Sequence, residues 1–367
     1  MALTQQDDIS TLLPNELLIQ VIDAAPKADQ VTLCRVSKLF HALAVPAVYG
    51  AVNLPKYTSI ISFCSAVLSN ASLAKCVQSI NICLPTSRAK DSTWSQESSG
   101  LILDSVETLL ELRHLSLDTV FLRSEHRDAI LRCTFPHLLS CDIQIEEDKL
   151  HTFTSFLTRH PALTRMHVRL WRHIGNFRLD SPTPIPLLNL RHYRGPVQCL
   201  SWITTHNLRE AELDWPLDKS SESSPAESLL LALQATINSD IPFVSSNYWC
   251  DDYFTEIVDF LSRNIPQTRT LQMDVFHLHD DQIAHVMSSL PRFTGLVFFA
   301  IKWAGMMPAS HIWGNEAATG VTAQTCGDLC PTLEACCLGR WAWRKINGRW
   351  EAYPRADFPT LAGISWP

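Results

Sequence analysis

Glycine is scarce in this 367-residue chain, which has 12 glycines where an average composition would give about 7%. No two glycines flank a single residue and no glycine precedes a lysine, so the dinucleotide fingerprint and the phosphate-binding P-loop are both absent. The Gly-x-Ser-x-Gly elbow and the His-Glu-x-x-His motif are absent too. We therefore predict no cofactor and no catalytic residue. An enzyme built from dispersed residues is the remote alternative.

Charge of either sign is also sparse, at 18% of residues, and the formal net charge is -7. An acidic chain is not suited as a whole to binding a polyanion, so no nucleic-acid partner is expected. The longest apolar stretches, such as residues 60–68, are about half of a membrane span, so no membrane association is expected. Residues 1–10 carry two aspartates and no basic segment, which predicts no secretory leader and a cytoplasmic and/or nuclear protein.

The twelve cysteines include no Cys-x-x-Cys pair and stand mostly inside apolar runs. This pattern predicts reduced core thiols rather than disulfides or a metal site. The C-terminal group, which begins at Cys326 and ends at Cys337, lacks metal-ligand spacing. His277 and His279 would share one strand face but have no third ligand at a usual spacing, so a strand running into a helix is the preferred interpretation.

Residues 12–50 show helical spacing of apolar residues, interrupted by prolines. The first predicted helix begins at Pro14 and stops at Pro26. Asp29 and Ser37 are predicted to cap the second and third helices, and Pro46 to end the third. Three short helices cannot hide this much apolar surface in their own small core. Part of that surface should therefore meet a partner or the next domain.

These residues resemble an F-box in their order and spacing. Residues 13–17 read Leu-Pro-Asn-Glu-Leu, an isoleucine follows at Ile22, and residues 33–40 read Leu-Cys-Arg-Val-Ser-Lys-Leu-Phe. The resemblance covers about a ninth of the chain. An unrelated helical cap on a repeat protein is the alternative interpretation.

The resemblance implies a substrate-receptor subunit of an SCF-type cullin-RING ubiquitin ligase. Such a subunit docks on a Skp-type adaptor, which links it to the cullin, and it performs no bond chemistry itself. The positions that match the family's interface and core, and that are therefore predicted to serve adaptor binding, are Leu13, Pro14, Leu17, Ile22, Leu33, Val36 and Phe40. A non-proteolytic interaction scaffold is the alternative function.

The remainder of the chain repeats a degenerate Leu-x-x-Leu-x-Leu frame. The nine frames begin at Val77, Leu112, Leu138, Leu163, Leu190, Leu208, Thr268, Phe293 and Leu333. Several gaps fall in the 20–29 residue range of leucine-rich repeats. The gap after Leu208 has room for a hidden repeat near residues 241–244, and amphipathic stretches lie between frames.

This pattern predicts an α/β fold. A three-helix F-box at residues 1–55 would be followed by an irregular leucine-rich-repeat solenoid, a horseshoe, at residues 56–367. Asn347-Gly348 predicts a hairpin at about residues 341–354 that caps the last repeat. An ordinary α/β domain with a parallel sheet is the alternative.

In such a solenoid, the residue between the second and third frame positions points away from the core. These positions are Asn81, Ser116, Asp142, His167, Arg194, Glu212, Gln272, Val297 and Cys337. The first seven are polar and the last two are apolar, which predicts an apolar anchor for a partner at the C-terminal end of this surface.

One segment of that surface is basic: residues 159–194 hold seven arginines, four histidines and a single acid, Asp180. Arginine suits carboxylates and phosphates, so we predict a groove for an acidic or phosphorylated peptide of a protein substrate. A solvated edge is the alternative. The predicted substrate-binding residues are Asp142, Arg165, His167, Arg169, Arg194 and Glu212.

Overall fold

The computed structural model describes residues 13–83, 96–117, 124–145, 150–170, 184–215, 225–237, 242–248, 250–276, 279–303 and 315–362. The chain forms two compact units. The first takes Met1–Gln144 and Lys149–His160, and the second takes Ile145–Asp148 and Pro161–Pro367. The predicted domain boundary at residue 55 does not coincide with this division and stays a prediction.

The first unit opens with three helices and continues as alternating strands and helices. Its elements are α1 (Asn15–Ala24), α2 (Lys27–Leu33), α3 (Lys38–Gly50), β1 (Ala51–Leu54), α4 (Tyr57–Ser69), α5 (Ala71–Cys76), β2 (Ser79–Ile82), α6 (Gln96–Glu107), β3 (His114–Leu117), α7 (Ser124–Arg132), β4 (Ser140–Ile145) and α8 (Leu150–Arg159). Strands β1 to β4 pair in parallel and in chain order.

Two details of the first three helices differ from expectation. Helix α2 begins after Pro26, so Asp29 lies in its first turn instead of capping it. Helix α3 continues through Pro46, which was predicted to end it. Pro46 removes one backbone donor, but Pro46 and Ala42 both lie on the exposed side, where water can reach the carbonyl that loses its partner. Ser37 caps α3 as predicted, since its Oγ accepts from the Phe40 amide at 3.2 Å.

A buried glutamine, which was not predicted, joins the first two helices. Gln30 is 6% exposed, and its Nε2 donates to the Ile22 carbonyl at 2.9 Å and to the Ala25 carbonyl at 3.1 Å. These acceptors lie at the C-terminal end of α1, where the Ile22 carbonyl also accepts from the Ala25 amide. Gln30 therefore satisfies the end of one helix from within the next.

His160 is also part of the core, although the sequence placed it in the basic segment. It is 1% exposed and lies 4.2 Å from Phe156 between ring centroids. Its Nε2 accepts from the Phe135 amide at 2.9 Å, and its Nδ1 lies 2.7 Å from the Phe156 carbonyl. An accepting Nε2 requires the neutral ring with its proton on Nδ1. Burial lowers the pKa of His160 further.

His160 should make the stability of the protein sensitive to acid. Because its folded-state pKa lies below the unfolded value, its contribution is present above about pH 6.5 and is lost as the pH falls. The contribution of His160 to the free energy of unfolding of the first unit should therefore decrease between pH 7.5 and 5.5. His160→Gln should flatten this decrease, whereas the exposed-site variant His137→Gln should leave it unchanged. Equal slopes for His160→Gln and wild type would contradict the neutral-ring assignment.

The second unit contains a longer sheet. Its elements are β5 (Arg165–Leu170), β6 (Ile185–Pro186), β7 (His192–Pro196), β8 (Ile203–Thr204), β9 (Glu210–Asp214), α9 (Pro225–Thr236), β10 (Phe243–Tyr248), α10 (Phe254–Asn264), β11 (Thr268–Val275), α11 (Asp280–Ser289), β12 (Phe298–Trp303), α12 (Glu316–Leu329), β13 (Ala335–Leu338), β14 (Trp341–Ile346), β15 (Arg349–Pro354) and α13 (Phe358–Leu361). Strands β5, β7 and β9 to β13 pair in parallel. Strands β6 and β8 form a separate pair.

The hidden repeat predicted near residues 241–244 is present as β10. Its core positions are polar: Ser245 and Asn247 are both fully buried, and Ser245 pairs in register with Ala211 and Leu271. The Asn247 Oδ1 accepts from the indole of Trp215 at 3.0 Å, and its Nδ2 donates to the Ser245 hydroxyl and to the Gln272 carbonyl. These hydrogen bonds satisfy the buried polar groups, so polar residues can stand at strand positions that are apolar in other repeats.

The frame of β12 was predicted three residues too early. The register aligns Leu271 with Phe299 and Met273 with Ile301, so these two residues, not Leu296 and Phe298, hold the core positions. The outward position is therefore Ala300 and not Val297. Residues 297–301 are continuously apolar, so alternation could not reveal which side of the strand faces the core.

The C-terminal hairpin forms from β14 and β15, with Asn347 and Gly348 at positive φ in the turn. Trp343 and Trp350 from this hairpin pack against α12 at its two internal glycines. A Cβ at Gly320 would lie 2.9 Å from Trp343, and one at Gly327 would lie 2.6 Å from Trp350. Aromatic bulk from the hairpin thus covers α12, the helix of the last repeat, as predicted for a cap.

The chain beyond the hairpin covers the apolar end of the sheet. Phe358 of α13 is fully buried against a cluster that includes Phe298, Ala300, Cys337 and Ala342. The predicted apolar anchor for a partner is therefore wrong in part: Cys337 is 0% exposed under a segment of its own chain.

All twelve cysteines carry free thiols, and eight of them are buried. This confirms the expected core placement for most of them, and burial raises the pKa of Cys326 and Cys199 to about 12. Within the described residues, no group of three His, Cys, Asp or Glu side chains could hold a metal ion. His277 lies outside the described residues. Among the described helices, none is both long and apolar enough to cross a membrane.

Candidate functional site

Alternate residues of the second unit's strands place a polar surface on the side of the sheet opposite the core positions. Because the strands pair in register, these side chains form rows across the sheet. We define this polar face by three rows: Arg165, His192 and Glu210; then His167, Arg194, Glu212, Ser246 and Gln272; and then Asp214, Tyr248, Asp274 and Lys302.

The basic end of the polar face lies on β5 and β7. Arg165 and Arg194 are exposed, while His167 and Arg169 are half-buried. Arg165, His167 and Arg169 alternate along β5 and therefore share one side of that strand. His192 on β7 pairs with Glu210 on β9, with 2.9 Å between Nδ1 and Oε2. The predicted arginines of these strands thus lie together on one solvent-facing surface.

Glu212 lies at the centre of the face and is only 8% exposed. Its Oε2 is 3.3 Å from Nε of Arg194 and accepts a hydrogen bond from the Tyr248 hydroxyl at 3.1 Å. Burial raises the pKa of Glu212 to about 7, because it outweighs the stabilisation of the carboxylate by Arg194 and Tyr248. This carboxylate therefore gains or loses its proton near neutral pH.

A second polar cluster lies on β11 and β12. Lys302 Nζ donates to Gln272 Oε1 at 2.7 Å, and Gln272 Nε2 donates to Asp274 Oδ1 at 3.2 Å. Burial raises the pKa of Asp274 despite the nearby cations Lys302 and Arg355, and it lowers the pKa of Lys302. Arg355, which follows the hairpin, adds a positive charge near Asp274 and Lys302.

Ser246 lies between the two clusters. It pairs in register with Glu212 on one side and Gln272 on the other, and it is fully buried. Within the described residues, its hydroxyl oxygen has no hydrogen-bond partner. Buried hydroxyls nearly always have one, so this group marks a position where the face can still make a bond.

The structure brings together five of the six predicted substrate-binding residues: Arg165, His167, Arg169, Arg194 and Glu212. The sixth, Asp142, belongs to the first unit, where the Ser116 hydroxyl donates to it at 3.4 Å.

Some residues of the basic segment are not members of the polar face. Arg159 lies on α8 in the first unit, where it donates to the Ser155 hydroxyl and to the Leu131 carbonyl. His160 is core, and Arg172 and Arg178 lie outside the described residues. Sequence spacing alone could not separate these groups, because α8 and β5 follow each other closely along the chain.

Tyr248, Asp274 and Lys302 were not among the predicted site residues. Each follows an outward residue by two positions: Tyr248 follows Ser246, Asp274 follows Gln272, and Lys302 follows Ala300. The two-residue period of a strand therefore places all three on the polar face. Two of these positions could not be found because the frames of β10 and β12 were not correctly placed.

A second candidate surface lies on the first two helices. Leu13, Leu17 and Val21 recur every four residues and are 41%, 45% and 62% exposed, while Leu18 and Ile22 on the other side are buried. Val36 is also 62% exposed, and Val31 is 43% exposed. We call Leu13, Leu17 and Val21 the apolar stripe.

The predicted adaptor-binding residues divide between this surface and the core. Leu13, Pro14, Leu17 and Val36 are exposed, Leu33 and Phe40 are half-buried, and Ile22 is fully buried. Ile22 therefore holds the helices together and does not contact a partner directly.

Comparisons with known proteins add little to these surfaces. No family model matches the chain, and no curated protein matches it. One similar solved structure is the leucine-rich repeat-containing protein LegL7 from Legionella pneumophila, with 13% identity, coverage of 86% of this chain and 91% of that chain, and a TM-score of 0.43. The strands and helices of this chain define a mixed α/β protein of repeated strand–helix units.

Proposed function

We propose that this chain is a substrate-receptor subunit of an SCF-type cullin-RING ubiquitin ligase. Its N-terminal helices would dock on a Skp-type adaptor, and its polar face would recruit a protein substrate. The contribution of such a subunit is effective concentration, because it holds the substrate near the conjugating enzyme while other subunits perform the chemistry.

The observation that carries the proposal is the apolar stripe within the F-box-like segment. Leu17 and Val21 on α1, with Leu13 just before it, are exposed at spacings of four residues, and exposed apolar surface beyond single residues marks interaction sites. The buried side of the same helix, with Leu18 and Ile22, shows that the exposed side is not needed for the helix to pack.

Capture of a Skp-type adaptor tests this proposal. We expect purified wild-type protein to bind the adaptor stoichiometrically. Leu17→Asp should weaken binding by about 30-fold or more, which is the effect of removing an anchor residue worth about 2 kcal/mol. The dissociation constant, measured by calorimetry with purified adaptor, gives the result.

Leu110→Asp is the matched control, because Leu110 is 58% exposed in the same unit but lies far along the chain from the F-box-like segment. It should bind the adaptor as wild type does. Failure of folded wild-type protein to bind would refute the adaptor role. Adaptor binding without ubiquitination of any captured protein would favour the non-proteolytic scaffold instead.

A further inference from the structure

Arg194 is held in place by a carboxylate of its own chain. Its Nε lies 3.3 Å from Glu212 Oε2, and its side chain is 47% exposed while that of Glu212 is 11% exposed. The guanidinium can therefore be approached from solvent, but Glu212 cannot easily follow it outward. Arg165 and Arg169 on the adjacent strand extend the same basic surface.

An acidic group that binds Arg194 would compete with Glu212 for the guanidinium. Arginine binds carboxylates in a planar, often bidentate geometry, so a partner carboxylate could replace Glu212 at this position. Glu212 would then be a buried carboxylate without its counter-charge, next to a second negative group. Such a carboxylate takes up a proton rather than remain charged.

The surroundings of Glu212 are prepared for its neutral form. The Tyr248 hydroxyl stands on the adjacent strand at 3.1 Å from Glu212 Oε2, where it could accept a hydrogen bond from the protonated carboxyl. Glu210 and Asp214 flank Glu212 on β9 and disfavour its charged form, as does burial, while Arg194 and the more distant Lys302 favour it.

We infer that the basic end of the polar face binds an acidic peptide segment. Glu212 pairs with the Arg194 guanidinium in the free protein, and it is protonated when the segment displaces it from that guanidinium. The inference rests on the proposed recruitment of a partner through this face, and it adds the chemical class of the ligand and a dependence on pH. Because binding consumes a proton, affinity should fall as the pH rises.

Hexaglutamate is a suitable probe, since its carboxylates stay ionised between pH 6 and 8. We expect wild-type protein to bind it about five- to tenfold more weakly at pH 8 than at pH 6, because with a pKa of about 7 the protonated fraction of Glu212 falls by about tenfold over this range. Glu212→Gln removes the internal competitor and should bind at pH 8 about as tightly as wild type binds at pH 6. Arg194→Gln should abolish most of the binding at both pH values.

Glu334→Gln is the matched control. It removes one exposed carboxylate of the second unit, so it reproduces the change in net charge, and it should keep the pH dependence of wild type. His167 and His192 are unchanged in both glutamine variants. The difference between the two variants therefore isolates Glu212.

A measurement on unmodified protein gives an independent test. Calorimetry at pH 7 in two buffers of different ionisation enthalpy should show net proton uptake on hexaglutamate binding, since Glu212 is partly ionised in the free protein and protonated in the complex. Zero uptake, or a full pH dependence in Glu212→Gln, would overturn the role of Glu212. Absence of hexaglutamate binding by wild type at pH 6 would overturn the acidic-ligand site itself.

Failure of this inference can be distinguished by experiment from failure of the proposed function. Adaptor capture is measured on the same preparations and depends on the apolar stripe. Loss of hexaglutamate binding with intact adaptor capture would refute only the inference, and the reverse result would refute only the ligase role.

Discussion

Replacing Gly195 by alanine should lower the free energy of unfolding of the second unit by about 3 kcal/mol or more. Gly195 has φ of 143°, a backbone conformation that residues with a Cβ adopt only under strain. A Cβ at this position would also lie 2.5 Å from the Val168 carbonyl oxygen on the neighbouring strand. Backbone cannot yield as a flexible side chain can, so the two effects should add.

Gly195 stands at a position that is leucine in the repeat frame. The space is used instead by Tyr193, which is buried and whose hydroxyl donates to the Pro196 carbonyl at 2.6 Å. A methyl group at Gly195 would lie 3.1 Å from that hydroxyl oxygen. The substitution would therefore disturb the tyrosine as well as the strand.

Gly348→Ala is the matched control for this prediction. Gly348 also has positive φ, 81°, but nothing lies within 4 Å of the place where a Cβ would be. It should lose only the conformational term, about 1 kcal/mol. Denaturant titration of both variants measures the difference. Equal losses would show that the contact with Val168 contributes nothing.

Phe358→Asp should release the C-terminal segment from the sheet. Phe358 is fully buried in an apolar cluster, where removing the ring alone costs about 3–5 kcal/mol and an unpaired carboxylate costs more. The segment is short and its helix has four residues, so few other contacts would hold it. We expect the outer side of β13 to become accessible to solvent.

Two adjacent cysteines report this release. Cys337 faces the segment, while Cys336 pairs with the core position Phe299 and faces the other side of the sheet. Burial raises the pKa of Cys337 to about 11 and suppresses its reactivity. In Phe358→Asp, the alkylation rate of Cys337 at pH 8, measured by peptide mass spectrometry, should rise by at least tenfold while Cys336 stays protected.

Val321→Asp controls for the added charge, because Val321 is 70% exposed on α12. It should leave both thiols protected. If Cys337 in folded Phe358→Asp is alkylated as slowly as Cys336, the segment is held by contacts other than Phe358.

Periodicity predicted most of the strands, and its failures have physical causes. Where apolar and polar residues alternate, as from Leu112 to Leu117, both strand and register followed from the sequence. In β12 continuous apolar residues removed the alternation, and in β10 a network of hydrogen bonds allowed Ser245 and Asn247 to replace apolar residues. Both errors concealed members of the polar face.

The candidate site was found in part because charge is visible in a sequence but burial is not. Arg194 and Glu212 were predicted as independent outward residues, and their pairing depends on strands β7 and β9 lying side by side. His160 was counted with the basic residues because its hydrogen bonds to Phe135 and Phe156 come from distant parts of the fold.

The class of the fold, the three N-terminal helices, most of the repeat frames and the hairpin could be predicted from the sequence, because they follow from local periodicity, caps and turn residues. It is the folded chain that shows which charges meet, which polar groups are buried, and that the C-terminal segment covers the apolar end of the sheet. Those properties depend on contacts between residues far apart in the chain, and on burial, which shifts a carboxylate such as Glu212 to titrate near neutral pH.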